Sequence, residues 1–134
     1  MDLYGEIILD HFKNPRNAGT IDDADIIGED LNPLCGDKVK AFLKLDENGL
    51  IQRFAFCADG CAISVAATSI IGEGLAGLSL QELESLENEK IYEMIGVPIS
   101  TGRVKCALLG ISCIRKAIKL YKAENAEKGE KNKG

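Results

Sequence analysis

A chain of 134 residues has the length of one domain, and its 46% hydrophobic and 28% charged residues exclude intrinsic disorder over most of its length. The net charge of −5, with Lys and Arg scattered except at the C-terminal end, offers no basic face for phosphate backbones, so no nucleic-acid partner is expected. No uncharged stretch approaches the roughly 20 residues of a spanning helix, and the first residues lack a charged and then apolar leader; a cytoplasmic protein with no membrane partner is expected.

In chain order, residues 2–13 place Tyr4, Ile7, Ile8, His11 and Phe12 at helical spacing, and Asn14-Pro15 ends the helix. Ile26-Ile27 and then Val39 to Leu45 read as strands; Val39, Ala41, Leu43 and Leu45 alternate with Lys40, Phe42 and Lys44. Asn48-Gly49 is expected to supply the positive φ angles of a tight hairpin, with Leu50 to Cys57 as the returning strand. From Cys61 to about Gly72 an Ala-rich apolar run reads as a buried helix with Asp59 near its N-cap. Ser79-Leu80-Gln81-Glu82 is a capping box, and Glu89 to Ile95 is a further helix closed by Gly96 with Pro98 beyond. Ser100 or Thr101 could cap the last helix, on which Val104, Leu108, Ile111, Ile118 and Tyr121 form a stripe.

This order predicts an α+β fold, a three-stranded antiparallel sheet with helices packed on one face. Residues 1–126 form the single domain, and the charged segment 127–134 is expected to be disordered.

Five cysteines, at 35, 57, 61, 106 and 113, make an odd number, and reduced thiols for metal or sulfur chemistry are the stronger reading over a disulfide framework. Cys35-Gly36-Asp37 lies in a loop entering a strand, where Gly36 lets the backbone bring a thiolate and a carboxylate toward one point. Cys61 and Cys106 fall in the first turns of helices, whose unpaired N–H groups suit thiolate ligands. Three thiolates and one carboxylate, Asp37, can hold zinc tetrahedrally or supply the terminal ligands of a two-iron cluster, and the donor types alone do not choose between them. The harder oxygen weakens one corner of such a site, which suits a protein that must give a cluster away. The spacing matches no compact zinc finger, and each cysteine taken alone could be a small buried hydrophobe. Cys57, alternating inward with Ala55, and Cys113, two turns or about 11 Å along a helix from Cys106, are expected to pack in the core. His11 reads as structural, and Lys105 is either solvated or offsets the charge of a thiolate cluster.

The chain resembles the NifU N-terminal/IscU scaffold family over nearly its whole length. The resemblance rests on Tyr4 with Asp10-His11-Phe12-Lys13-Asn14-Pro15-Arg16-Asn17-Ala18-Gly19, on Asn32-Pro33-Leu34-Cys35-Gly36-Asp37, on Phe56 to Ser64 around Gly60-Cys61, and on Lys105-Cys106-Ala107. It implies the family's compact α+β scaffold fold, with Cys35, Cys61 and Cys106 as cluster ligands and sulfur acceptors, and Asp37 as the residue that promotes cluster release. The cargo it implies is a [2Fe-2S] cluster. The implied partners are a cysteine desulfurase as sulfur donor and recipient apo-proteins, with a homo-oligomer as a further option.

The resemblance has two departures. The IscU branch has His directly before the third cysteine, where this chain has Lys105, whose protonated amine cannot ligate. That branch also carries a Leu-Pro-Pro-Val-Lys chaperone-recognition segment, where this chain has Ile99-Ser100-Thr101-Gly102-Arg103. Gly60-Cys61-Ala62-Ile63-Ser64 and Lys105-Cys106-Ala107-Leu108-Leu109 look more like the SufU branch, whose members bind zinc and relay persulfide sulfur, although that branch's insertion between the second and third cysteines is absent. An assembly scaffold rather than an enzyme is therefore expected. The alternatives are a Zn²⁺-dependent sulfurtransferase and a structural zinc module.

Overall fold

The computed structural model describes residues 3–32 and 36–133, with side chains described through Asn125. Cys35 thus lies outside the described residues. The elements are α1 (Leu3–Lys13), β1 (Ile26–Asn32), β2 (Asp37–Leu45), β3 (Ile51–Asp59), α2 (Ala62–Gly72), α3 (Leu80–Ser85), α4 (Asn88–Ile95), a 3₁₀ turn (Thr101–Arg103) and α5 (Val104–Lys133). The strands form one antiparallel sheet in the order β1-β2-β3 with helices against one face, so the expected α+β architecture is found. β1 runs well past Ile26-Ile27 because every residue from Ile26 to Asn32 finds a partner on β2.

The hairpin between β2 and β3 is built differently from the expectation at Asn48. Only Gly49 has a positive φ, and the turn is held by Asp46, whose Oδ1 accepts from the N–H groups of Asn48 and Leu50 at 2.9 Å each. An aspartate side chain that mimics a backbone acceptor does the work the second left-handed residue would otherwise do.

Alternation on the sheet sets the core. Val39, Ala41 and Leu43 of β2 and Phe54 and Phe56 of β3 turn toward the helices and are buried with Ile71, Ile111, Ile114 and Ile118. On the opposite face a small cluster of Phe42, Ala55 and Ile21 is covered by the segment after α1. That cover stops short of Cys57, which shares the face of Ala55 but is exposed, its thiol donating to the Gly19 carbonyl at 3.3 Å. The expected core placement of Cys57 is therefore corrected: the alternation holds, but the face it points to is open there. Cys113 packs in the core as expected, fully buried against β2 with its sulfur 3.6 Å from the Val39 carbonyl; burial, reinforced by nearby Asp30, pushes its thiol up to about 11.

The N-cap of α2 is Cys61, two residues past Asp59, where β3 ends. The backbone of α5 is helical as far as Lys133, favoured by the Glu and Lys residues of 127–133. The capping box is present in both directions, Ser79 Oγ accepting from the Glu82 N–H and Glu82 from the Ser79 N–H.

The helices reach the site through two contacts. α5 lies across β1 and β2, clamped where Asp30 accepts from Ser112 and pairs with Lys116, each at 3.1 Å. α2 crosses α5 at Gly110, where a Cβ would collide with the buried Thr68 side chain. α1 packs on α2 and fully buries none of its residues, but its end is pinned by Ser69. The Ser69 hydroxyl accepts from the Arg16 N–H at 2.8 Å and shares a second hydrogen bond, also 2.8 Å long, with His11 Nδ1. Burial first, and then the Arg16 charge, hold the His11 pKa below its ordinary value.

Gly110→Ala is expected to destabilise the fold by about 1–3 kcal/mol by overpacking, and Thr68→Ala in the same chain should recover part of the loss; chemical denaturation of the single and double variants measures both. The lowered His11 pKa gives a pH dependence of definite sign. A neutral His favoured by folding stabilises fully above its unfolded pKa of about 6.5, and that contribution is lost as the pH falls toward the lower folded value. Between pH 7.5 and 5.5 wild type should lose more unfolding free energy than His11→Gln; equal losses would show that His11 is not coupled to folding.

Candidate metal centre

Three chain segments meet at one end of the sheet: the first residue of β2, the N-cap of α2 and the first turn of α5. They carry Asp37, Cys61 and Cys106. One ligand atom from each, a carboxylate oxygen and two sulfurs, lie within 4.8 Å of one another; Asp37 and Cys106 are buried and Cys61 is half-buried. Cys35, two residues before Asp37, lies outside the described residues, but the residues flanking its loop are joined by the Gly36 N–H donating to the Asn32 carbonyl at 2.8 Å.

Asp37 is the hub. Only 2% exposed, its carboxylate is saturated with donors: Oδ1 accepts from the Cys61 backbone N–H at 3.0 Å, while Oδ2 accepts from the Ser64 hydroxyl at 2.5 Å and the Cys61 thiol at 3.4 Å. Burial by itself raises the Asp37 pKa; the hydrogen bonds from Ser64, the Cys61 N–H and the thiols of Cys61 and Cys106 outweigh it and hold the carboxyl below its usual range. The side chain fits because residue 60 is Gly: a Cβ there would stand 2.6 Å from Asp37 Oδ1. The register pairing Lys38 with Asp59 brings the start of β2 beside Gly60, and the turn into α2 then delivers the Cys61 N–H and thiol together.

The geometry is close to what a metal ion requires. A tetrahedral ion with oxygen at about 2.0 Å and sulfur at about 2.3 Å sets those two ligands about 3.5 Å apart. The Oδ2 to Cys61 Sγ separation is 3.4 Å. A divalent cation held by Asp37, Cys61 and Cys106 would displace the two thiol protons now directed at the carboxylate, so binding would release protons.

Sequence reasoning named Asp37, Cys61 and Cys106 but passed over the roles of Ser64 and Gly60. The signal for Ser64 was its position three residues past Cys61 at a helix start, where both side chains lie on one face. Cys57 is on the open sheet face and Cys113 is in the core, and neither belongs to the grouping of Asp37, Cys61 and Cys106. Lys105, beside Cys106, is exposed, and His11 is occupied with Ser69.

Comparison with known proteins agrees with the fold. The pattern of the NifU-like N terminal domain matches residues 3–128. The iron–sulfur cluster assembly scaffold protein IscU of Haemophilus influenzae is 36% identical over 124 residues, covering 90% of this chain and 97% of that one. IscU of Escherichia coli K12 is 33% identical over 128 residues, covering 93% and 98%. Among solved structures, a SUF-system iron–sulfur cluster assembly scaffold candidate from Fervidobacterium islandicum AW-1 superposes with a TM-score of 0.71 at 29% identity, covering 84% of this chain and 94% of that one. The N-terminal part of a NifU-like protein from Brucella abortus gives the same TM-score at 20% identity, covering 90% and 95%, and supports the fold alone. By sequence pattern, by relatives matched almost end to end and by architecture, this chain belongs to the NifU-like N-terminal domain family.

Proposed function

We propose that this protein is a scaffold on which a [2Fe-2S] cluster is assembled and from which it passes to recipient apo-proteins, with Cys35, Cys61, Cys106 and Asp37 as the cluster's terminal ligands. The carrying observation is the convergence of the Asp37 carboxylate with the Cys61 and Cys106 sulfurs at the end of the sheet. Covalent geometry supports the fourth member, since two residues of chain span at most about 7 Å and so keep the Cys35 backbone close to Asp37. Relatives named as iron–sulfur cluster assembly scaffolds, 33–36% identical to this chain almost end to end, support the reading.

In this reading a cysteine desulfurase presents sulfur as a persulfide, and a scaffold thiolate attacks its outer sulfur, releasing the donor's thiolate and leaving a persulfide on the scaffold. Reduction of each such sulfur to sulfide takes two electrons, one from a ferrous ion held by the thiolates, which becomes ferric in the cluster, and one from an external reductant. Asp37 weakens one corner of the cluster, because a carboxylate oxygen is a harder and poorer partner for iron in a cluster than a thiolate. The protein is thus an assembly platform rather than an enzyme acting on a small substrate, and it works in the cytoplasm. Among the described residues no helix is long and apolar enough to cross a membrane.

A second reading, a zinc-dependent sulfurtransferase, is favoured by one observation: Lys105 stands where a nitrogen ligand would otherwise be offered, and it is exposed. Zn²⁺ on the same four residues, with one cysteine leaving the ion to accept sulfur, would use the same geometry.

Anaerobic incubation with a cysteine desulfurase, cysteine, a thiol reductant and ferrous iron separates the two. Visible absorption of a two-iron cluster with iron and acid-labile sulfide in equal amounts is the expected result. Zinc retained without sulfide but with stimulation of the desulfurase would establish the second reading in its place, and zinc without either effect would leave a structural zinc module. Asp37→Ala should act in opposite directions on two measurements. The cluster should pass to an apo-ferredoxin several-fold more slowly than from wild type, while the unfolding free energy falls by about 1–3 kcal/mol because the Ser64 hydroxyl and Cys61 N–H lose their acceptor. A variant that releases its cluster as fast as wild type would remove Asp37 from the release step.

A further inference from the structure

Ser64 is a buried hydroxyl, 1% exposed, that none of the ligand chemistry above requires. Its surroundings give it one task. A hydroxyl has one proton, and the 2.5 Å separation from Asp37 Oδ2 assigns that proton to the carboxylate. The one proton of the Cys61 thiol is directed at Asp37 Oδ2 at 3.4 Å, so the longer 3.6 Å approach of the Cys61 sulfur to Ser64 does not hold the serine, and neither contact outlasts loss of that proton. After Cys61 loses its proton to a metal, the Ser64 bond to Asp37 is the side-chain contact that persists, beside the Cys61 N–H on Oδ1.

The two bonds hold the carboxylate from both ends. Oδ1 is fixed by the backbone of the α2 N-cap, and Oδ2 is fixed by a side chain one turn into the same helix. Ser64 itself is anchored, since its carbonyl accepts from Thr68 Oγ1 at 2.8 Å, and Thr68 is wedged where α2 crosses Gly110 of α5. Under this restraint Oδ2 stands 3.4 Å from Cys61 Sγ, close to the oxygen-to-sulfur edge of a tetrahedral ion. Carboxylates that ligate metals are themselves held by outer hydrogen bonds, and loss of such a bond typically lowers metal affinity 10- to 100-fold.

We infer that Ser64 is the positioning residue of the centre: its hydroxyl, 2.5 Å from Asp37 Oδ2, holds the carboxylate in its ligating orientation. The inference rests on the reading of Asp37 as a ligand.

The test is a double-mutant cycle with Co²⁺ as the probe at one fixed pH, anaerobically, following the sulfur-to-cobalt charge-transfer band, on full-length wild type, Ser64→Ala, Asp37→Ala and the double variant. Ser64→Ala should bind Co²⁺ 10- to 100-fold more weakly than wild type and should cost almost nothing further in the Asp37→Ala background. Ser64→Thr, which keeps the hydroxyl, should bind more tightly than Ser64→Ala. A merely structural serine would lower affinity equally in both backgrounds, and that result overturns the inference. A second readout needs no metal: the amide proton of Cys61, held on Asp37 Oδ1, should move upfield in apo Ser64→Ala toward its Asp37→Ala position, with no additional movement in the double variant. An unmoved Cys61 amide in Ser64→Ala also overturns the inference. Wild type that binds Co²⁺ no better than Asp37→Ala sinks the ligand reading of Asp37 and this inference with it. Failure of Ser64 alone looks different, with tight binding by wild type and equally tight binding by Ser64→Ala.

Discussion

A carboxylate removed from water has to replace its hydration with hydrogen bonds or take up a proton, and the architecture around Asp37 is shaped by that requirement. Meeting it needs a backbone N–H at the start of α2, a hydroxyl one turn further on and a residue without a Cβ at position 60, so that the carboxylate can reach both. Those three features in turn depend on the register of β2 against β3, which sets Asp37 beside the end of the neighbouring strand. A slip of one residue would turn Asp37 to the opposite face of the sheet and leave Ser64 and the Cys61 N–H without their acceptor. The hairpin, the crossing of α2 over α5 and the burial of the apolar face are therefore the means by which a buried carboxylate is kept in one place.

Much of this was legible from residue order. Period-2 alternation from Val39 to Leu45, the Ser79 to Glu82 box and the apolar run after Cys61 each follow from local chemistry, and each element formed at or within a few residues of its expected place. The residues that departed were those decided by distant partners. Cys57 alternates with Ala55 as strand geometry demands, yet whether that face is covered depends on where the segment after α1 lies, and Gly19 of that segment is 38 residues away in sequence. The length of β1 was hidden because Glu29, Asp30 and Asn32 carry little strand propensity, and it is pairing with β2 that extends them. Asn48 was read by the commonest two-residue turn, and the side chain of Asp46 supplied another solution.

The grouping of Asp37, Cys61 and Cys106 was suggested by residue type and by resemblance, but spacing alone could not have produced it. Ligands so far apart in sequence converge only when sheet and helices have packed, in contrast to zinc fingers, whose ligands sit on one short hairpin and helix. Folding and site formation are consequently one event: the buried contact of Thr68 with Gly110 stands in the same chain of interactions as Ser64 and Asp37. The proposed scaffold role thus places its binding residues on a sheet end and two helix starts.

The protonated sulfur of Cys113 has a bearing on how such a protein handles reactive sulfur. Sealed against β2 and kept as a thiol up to about pH 11, it lacks the anionic form through which sulfur is exchanged between cysteines. In the proposed transfer, sulfane atoms delivered to the sheet end would find no competing acceptor in Cys113, and its burial shields it from the oxidants that convert accessible cysteines to sulfenic acid. The interior carries its sulfur as a hydrocarbon-like filler, insulated from the traffic at the surface.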